Sequence, residues 1–148
     1  MSQIQELGAI RVIGLKLRTT NEKAFEDIPG HWKRFFEEGT LGKIPDPMSD
    51  AVIAVYTDFQ NVGANNEGTY SFVLGAQVAE TQPVPAGLTA VSIPASRRAV
   101  FPVETGHPER VGDEWRKIWA HTALTKTYVC DYEQYEKDGG INIYVGVR

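Results

Sequence analysis

The sequence has little cysteine and no long hydrophobic run. Cys130 is the single cysteine in 148 residues, so no internal disulfide can form, which is typical of a reducing compartment. We interpret Cys130 as a small buried strand residue, because no sequence feature activates its thiol. No apolar stretch approaches the length of a membrane span, and the N-terminal MSQIQELGAI does not resemble a signal peptide. We therefore expect a cytoplasmic protein with no membrane partner.

The sequence also lacks an excess of positive charge and any spacing typical of metal ligands. Fifteen Lys and Arg residues against nineteen Asp and Glu residues give a formal charge of -4, and the basic residues are scattered. Binding to phosphates needs a basic patch, so we expect no direct contact with nucleic acid. The three histidines are not spaced as zinc ligands, and no phosphate loop, nucleophile elbow or dinucleotide fingerprint occurs. We therefore expect no metal and no cofactor.

The hydrophobic content of 42% is enough for the core of one domain at this length. Apolar periodicity predicts two strand-helix-strand-strand units, at about residues 8–78 and 88–148, joined by a Pro-containing linker at 81–87. The first unit has strands at 8–18, 51–59 and 69–78. Pro29-Gly30 interrupts the early part of its helical pattern, so we expect a regular helix at about 28–38, preceded by an irregular turn. The second has a strand that starts at 88, bends near Pro94 and resumes at 97–103, a helix at 108–121, and a C-terminal hairpin. We predict a single α+β domain, 1–148, with one curved antiparallel sheet, two main helices, pseudo-twofold symmetry and a cleft between the repeats.

The C-terminal hairpin carries the most informative polar residue. A two- or four-residue loop around Asp138-Gly139 would place Glu133 opposite Tyr144. Glu133, Tyr135 and Tyr144 would then share one face of the sheet, with Ile143 on the other. A carboxylate among aromatic rings suits an organic cation, which needs one counter-charge and several electron-rich faces. The ordinary alternative is a strand glutamate that faces solvent.

Two ordered sets of segments extend along nearly the whole chain. The first set comprises GAIRVIGL (8–15), IP (28–29), Trp32, FF (35–36), VYTD (55–58) and SFVLG (71–75). The second comprises LT (88–89), IPA (93–95), RAVF (98–101), residues 115–119, YEQY (132–135) and IY (143–144). Together they resemble the GyrI-like small-molecule-binding domain, which is the effector-binding domain of AraC-type and MerR-type multidrug regulators. The resemblance is closest to a stand-alone, mobile-cassette-encoded member that binds cationic drugs.

The resemblance implies a ligand pocket between the two repeats and an acidic residue in it for cationic lipophilic compounds, carried here by Glu133. The other candidate ligand-binding residues are aromatic. Large rings seldom bury completely, and the tryptophans lie on the apolar stripes of the two helices. Repeat symmetry places Tyr56, in the second strand, near the counterpart of the Tyr132-Glu133 pair. Phe36 and Phe101 are also compatible with an ordinary core position. The full aromatic set is Tyr56, Trp115, Trp119, Trp32, Tyr144, Phe36 and Phe101.

The sequence thus predicts a binding protein for cationic, aromatic or amphipathic small molecules, with no catalytic residue assigned. One alternative is a hydrolase of electrophilic small molecules, in which burial raises the pKa of Glu133 and lets it act as a general base. The other alternative is a protein–protein regulator, such as a gyrase inhibitor or the partner of a separate DNA-binding protein. As partners, the sequence leaves open a second protein or a second copy of the chain in a homodimer.

Overall fold

The computed structural model describes residues 3–148, which form eight strands, three α-helices and one short 3-10 helix. In chain order the elements are β1 (Gln3–Leu7), β2 (Ile10–Thr20), α1 (Asn21–Glu37), α2 (Thr40–Lys43), β3 (Val52–Thr57), β4 (Thr69–Val78), β5 (Thr89–Ile93), β6 (Ser96–Val103), the 3-10 helix (Pro108–Arg110), α3 (Val111–Ala120), β7 (Asp131–Tyr135) and β8 (Ile141–Gly146). None of the helices in this range is both long and apolar enough to cross a membrane.

All eight strands belong to one antiparallel sheet with the order β1-β6-β8-β7-β3-β4-β2-β5. The pair β3 and β7 is central, and the order is the same on either side of it. Going outward, β3 is followed by β4 and β2, and β7 is followed by β8 and β6. Each half therefore contributes a strand, a helix and a hairpin in the same arrangement. The predicted α+β fold, with two repeats in one curved antiparallel sheet, is confirmed.

The edge strands differ from the prediction. The sequence predicted one strand that bends near Pro94, but the structure has two separate strands, β5 and β6, in different parts of the sheet. Proline has no backbone N–H to donate to a neighbouring strand, so β5 ends at Ile93 and the chain turns away. The first strand is also preceded by a separate edge strand, β1, which pairs with β6. Its sequence, QIQEL, is too polar to predict a strand from hydrophobic alternation.

Short connections between distant strands require the sheet to curl. β1 and β2 lie near opposite ends of the strand order although they are joined by two residues, and the same is true of β5 and β6. A residue advances the chain by at most about 3.6 Å, so the two ends of the sheet must approach each other. One face of the curled sheet carries the helices. The other face buries an apolar cluster that includes Cys130. Burial raises the pKa of the Cys130 thiol to about 11.

Helix α1 spans Asn21–Glu37 without interruption, although the sequence predicted an irregular turn before residue 28. It begins directly after Thr20, whose side chain accepts a hydrogen bond from the backbone N–H of Lys23 at 3.3 Å. Pro29 lies inside the helix and removes one backbone hydrogen bond. Packing compensates for that loss, because Phe35 and its neighbours on the apolar stripe are held against β2 and β4.

The second main helix follows the prediction closely. A 3-10 turn at Pro108–Arg110 leads into α3, and the residues of α3 that face the sheet are Val111, Trp115 and Ile118. Trp119 lies one turn after Trp115 but is 47% exposed, so it is at the margin of the buried stripe. Helices α1 and α3 pack on the same face of the sheet and flank a cleft between them.

Candidate functional site

The β7–β8 hairpin, which carries Glu133, has a register one residue away from the predicted one. Glu133 pairs with Ile143 rather than with Tyr144, and Tyr144 pairs with Tyr132. Tyr144 therefore lies on the face opposite Glu133, where its ring stacks on that of Tyr132 with centroids 4.5 Å apart. The prediction that Tyr144 shares a face with Glu133 is wrong, whereas Tyr135 does share that face.

A three-residue loop causes this shift of register. Lys137, Asp138 and Gly139 form the loop, the N–H of Gly139 donates to the carbonyl of Glu136 at 3.0 Å, and the N–H of Glu136 donates to the carbonyl of Gly140 at 2.7 Å. This is the pattern of a hairpin loop closed by a G1 bulge, and Gly139 has the left-handed conformation that the bulge requires, with φ of +96°. The two loops considered from sequence both have an even length. An odd loop moves the pairing by one residue and reverses the faces.

A cleft of about 1220 Å³ opens on the face of the sheet that carries the helices. Within residues 3–148, Glu133 and ten aromatic side chains line it. Five of these aromatic residues are among the predicted ligand-binding residues, namely Trp32, Phe36, Tyr56, Trp115 and Trp119. All three tryptophans of the chain therefore border the same cavity.

Two of the predicted ligand-binding residues do not line the cleft. Tyr144 is excluded because it lies on the other face of the sheet. Phe101 is on β6 and is buried in the core beneath α3, where it packs with Val111 and Ile118. Its position is the ordinary core position that the sequence analysis left open.

Five other aromatic residues of the cleft wall were not among the predicted ligand-binding residues: Phe25, Phe59, Tyr70, Tyr128 and Tyr135. Of these, Tyr135 was predicted only to share the face of Glu133. Strand pairing could have identified Tyr70. Tyr56 pairs with Phe72, and Tyr70 is two residues from Phe72 on the same strand, so Tyr70 must lie on the face of Tyr56. The rings of Tyr56 and Tyr70 lie 5.9 Å apart in the structure. Residues such as Tyr128, from an irregular loop, have no such signal.

Glu133 is 1% exposed, and its carboxylate accepts three hydrogen bonds. The Tyr56 hydroxyl and the Trp115 Nε1–H both donate to Oε2 at 2.6 Å, and the Tyr135 hydroxyl donates to Oε1 at 2.5 Å. No Lys or Arg within residues 3–148 forms an ion pair with it. A buried carboxylate without a positive partner is unfavourable, so neutral donors alone stabilise this one.

The titration behaviour of the site follows from this environment. Burial raises the pKa of Glu133, and this effect outweighs the hydrogen bonds from Tyr135, Tyr56 and Trp115, which favour the ionised form. Burial together with the nearby Glu133 charge raises the pKa values of Tyr56 and Tyr135 far above the usual range, so that both hydroxyls remain protonated donors. The same causes raise the pKa of Tyr70 to about 12. Glu133 is thus a titratable carboxylate held by two protonated phenols and an indole N–H.

The charged residues around the cleft are unequally distributed. Among residues 3–148, five acidic side chains line it (Asp50, Glu109, Asp131, Glu133 and Glu136), against three basic ones (Arg116, Lys126 and Lys137). These side chains give the lining a formal charge of -2 when all eight are ionised, from five negative and three positive groups. In the same range, no group of three His, Cys, Asp or Glu side chains is placed to hold a metal ion.

Solved structures with similar folds span essentially the whole chain. An integron cassette protein from the mobile metagenome of Vibrio cholerae is 20% identical, with a TM-score of 0.76 over 99% of this chain and 95% of that one. SAV2435, solved bound to tetraphenylphosphonium, is 16% identical, with a TM-score of 0.81 over 100% and 94%. A protein of Staphylococcus aureus MU50 with a proposed role in transcription regulation is 16% identical, with a TM-score of 0.75 over 100% and 98%.

The sequence itself matches one family model. No curated protein matches it significantly. The model of the Cass2 family, described as integron-associated effector binding protein, matches residues 3–147. Because this match covers nearly all of the sequence, the chain belongs to the Cass2 family of integron-associated effector binding proteins.

Proposed function

We propose that this effector-binding protein takes cationic aromatic small molecules as its ligands. The observation that carries the proposal is the state of Glu133, a buried carboxylate that faces an aromatic cleft and has no Lys or Arg partner within residues 3–148. On the sequence grounds given above, we expect the protein to act in the cytoplasm. Catalysis is not part of this proposal.

The physical basis is a combination of one counter-charge with several aromatic faces. Each cation–π contact contributes about 0.5–2 kcal/mol, and burial of the ligand's own rings adds to this, which is sufficient for micromolar affinity. Tyr56, Tyr135 and Trp115 hold the carboxylate in place, so the ligand does not have to order it on binding. An anion of the same shape would be desolvated beside a carboxylate, which is unfavourable.

The bound ligand of SAV2435 supports the proposal, because tetraphenylphosphonium is a lipophilic aromatic cation. An identity of 16% establishes only that the two proteins share a fold. The ligand class of this chain therefore depends on its own residues, and Glu133 with its aromatic surroundings fits a ligand of this kind.

Tetraphenylphosphonium should change the tryptophan fluorescence of this protein in a saturable way. All three tryptophans line the cleft, so a bound ligand contacts or reorders their surroundings. The measurement is a titration followed by emission, with free N-acetyltryptophanamide as the control for collisional quenching. Trp119→Phe should reduce the signal change without loss of the fold, because Trp119 is partly exposed. A linear, non-saturating change that matches the free amino acid would contradict binding in this cleft.

Affinity for tetraphenylphosphonium should fall as the pH is lowered. The cation stabilises the ionised form of Glu133, and burial raises the pKa of that carboxyl in the free protein. Binding must therefore displace a proton at any pH below the raised pKa, and the loss should begin above pH 4.5, where an ordinary glutamate is still ionised. Calorimetric titrations between pH 5 and pH 8 test this, with the profile of Glu133→Gln subtracted. Affinity that rises as the pH falls would contradict the assignment.

A further inference from the structure

We propose that Asp131 forms a second cationic subsite in the cleft, which favours ligands with two positively charged groups over ligands with one. The inference rests on the proposed function of Glu133 and extends it to a ligand class. Asp131 and Glu133 are two residues apart on β7, so their side chains lie on the same face of the sheet, and both line the cleft. Two such positions on a strand are about 7 Å apart. The cleft therefore has two carboxylates along one wall.

Asp131 is a buried side chain of the cleft wall and does not lie on the solvated surface. It is 7% exposed, and its Oδ1 accepts a hydrogen bond from the backbone N–H of Gly146 at 2.8 Å. Within residues 3–148, its Oδ2 accepts no hydrogen bond. Every fully buried side-chain nitrogen or oxygen within residues 3–148 has a hydrogen-bond partner, so Oδ2 is the oxygen that remains open to the cleft. One oxygen is thus anchored and the other is free to accept a donor.

One basic side chain of the cleft that interacts electrostatically with Asp131 is hydrogen-bonded elsewhere. Lys126 also lines the cleft, but its Nζ donates to the carbonyl of His121 at 3.0 Å, and within residues 3–148 no ion pair involves Asp131. Burial raises the pKa of Asp131 to about 6, although the Gly146 amide and the charges of Arg98 and Lys126 favour its ionised form. At pH 8 the carboxylate is ionised, and a ligand ammonium can approach its open oxygen.

This arrangement suits elongated molecules with a cationic group at each end of an aromatic ring. One ammonium or amidinium group would lie at Glu133 and the other at Asp131, with the ring between them against the aromatic wall of the cleft. A ligand with one positive charge can lie beside only one of the two carboxylates. A dication neutralises both, so its advantage arises from Asp131 specifically.

The test compares two amines that share one ring, 1,4-bis(aminomethyl)benzene and 4-methylbenzylamine, by calorimetry at pH 8. The diamine should bind wild-type protein about tenfold more tightly, beyond its statistical advantage of having two amines. Asp131→Asn keeps an oxygen for the Gly146 amide and removes the charge. It should weaken the diamine about tenfold more than the monoamine. Glu136→Gln, which removes an exposed carboxylate from the rim of the same cleft, is the matched control and should leave the preference in place.

Lys126→Met is a second, independent variant. It removes a positive charge that acts on Asp131, so it should increase the preference for the diamine. An unchanged preference would count against the subsite even where Asp131→Asn is too unstable to measure. A preference that survives Asp131→Asn, or equal losses for both amines, would overturn the subsite and leave Asp131 as a residue that only shapes the cleft. If wild-type protein binds tetraphenylphosphonium but shows no diamine preference, the subsite fails alone. If it binds neither amine nor tetraphenylphosphonium, the proposed function fails and the subsite fails with it.

Discussion

Replacement of Glu133 by Gln should lower the affinity for tetraphenylphosphonium about ten- to a hundredfold, which corresponds to about 1.5–3 kcal/mol. Glutamine has nearly the same size, and its amide oxygen can accept part of the hydrogen bonds from Tyr56, Tyr135 and Trp115, so the protein should stay folded. The change removes the negative charge of the carboxylate to which these three groups donate. Isothermal titration calorimetry on both proteins at pH 8 gives the ratio directly.

Two controls separate the counter-charge from other effects of the same substitution. Triphenylphosphine oxide, a neutral molecule with similar rings, should lose little affinity or gain some, because the empty site no longer holds a desolvated charge. Glu136→Gln removes the same charge from the exposed rim of the cleft and should have a small effect on either ligand. Equal losses for the cation and the neutral ligand in Glu133→Gln would show that Glu133 only maintains the shape of the cleft.

Trp115→Ala should lower the free energy of unfolding by about 3–5 kcal/mol, as is typical when a large buried aromatic side chain is truncated and leaves a cavity. Trp115 is 9% exposed and packs in the cluster that joins α3 to the sheet. Its indole N–H also donates to the Glu133 carboxylate, so the variant should bind cations more weakly as well. Denaturant unfolding followed by circular dichroism measures the first effect, and calorimetry on the folded variant measures the second.

Trp119→Ala is the matched comparison, since Trp119 lies one turn later on the same helix and is 47% exposed. Its unfolding free energy should change by much less than that of Trp115→Ala. Trp115→Phe keeps a ring in the core but removes the N–H donor, so it should retain most of the stability and still weaken cation binding. A Trp115→Ala variant that is as stable as Trp119→Ala would contradict the dual role given to Trp115.

The order of the elements could be predicted from sequence because hydrophobic periodicity is local. Alternation in β4 and the apolar stripe of α3 gave those elements almost to the residue. The separation of β5 from β6 could not be predicted, because it depends on which strands meet when the sheet curls. The uninterrupted α1 was missed for a related reason, since packing against the sheet compensates for the hydrogen bond that Pro29 removes.

The candidate site was predicted in part. The alternation of β7 and the motif around Glu133 indicated that carboxylate, and the apolar stripes of the helices indicated the tryptophans. The face of Tyr144 was wrong because it depends on a single residue in the loop, and the bulge at Gly139 is set by geometry that composition does not show. Tyr56, Trp115 and Glu133 come from three distant parts of the sequence, so their shared hydrogen bonds become evident only in the folded chain.

Charge selectivity is the most direct test of the central claim, which is that an uncompensated carboxylate in an aromatic cleft selects cations. Tetraphenylphosphonium and tetraphenylborate have nearly the same size and shape and opposite charges. Calorimetry of both ligands with wild-type protein at pH 8 compares them without any substitution. The cation should bind at least about a hundredfold more tightly, because the anion would be desolvated beside Glu133. Equal affinities, or tighter binding of the borate, would contradict the account.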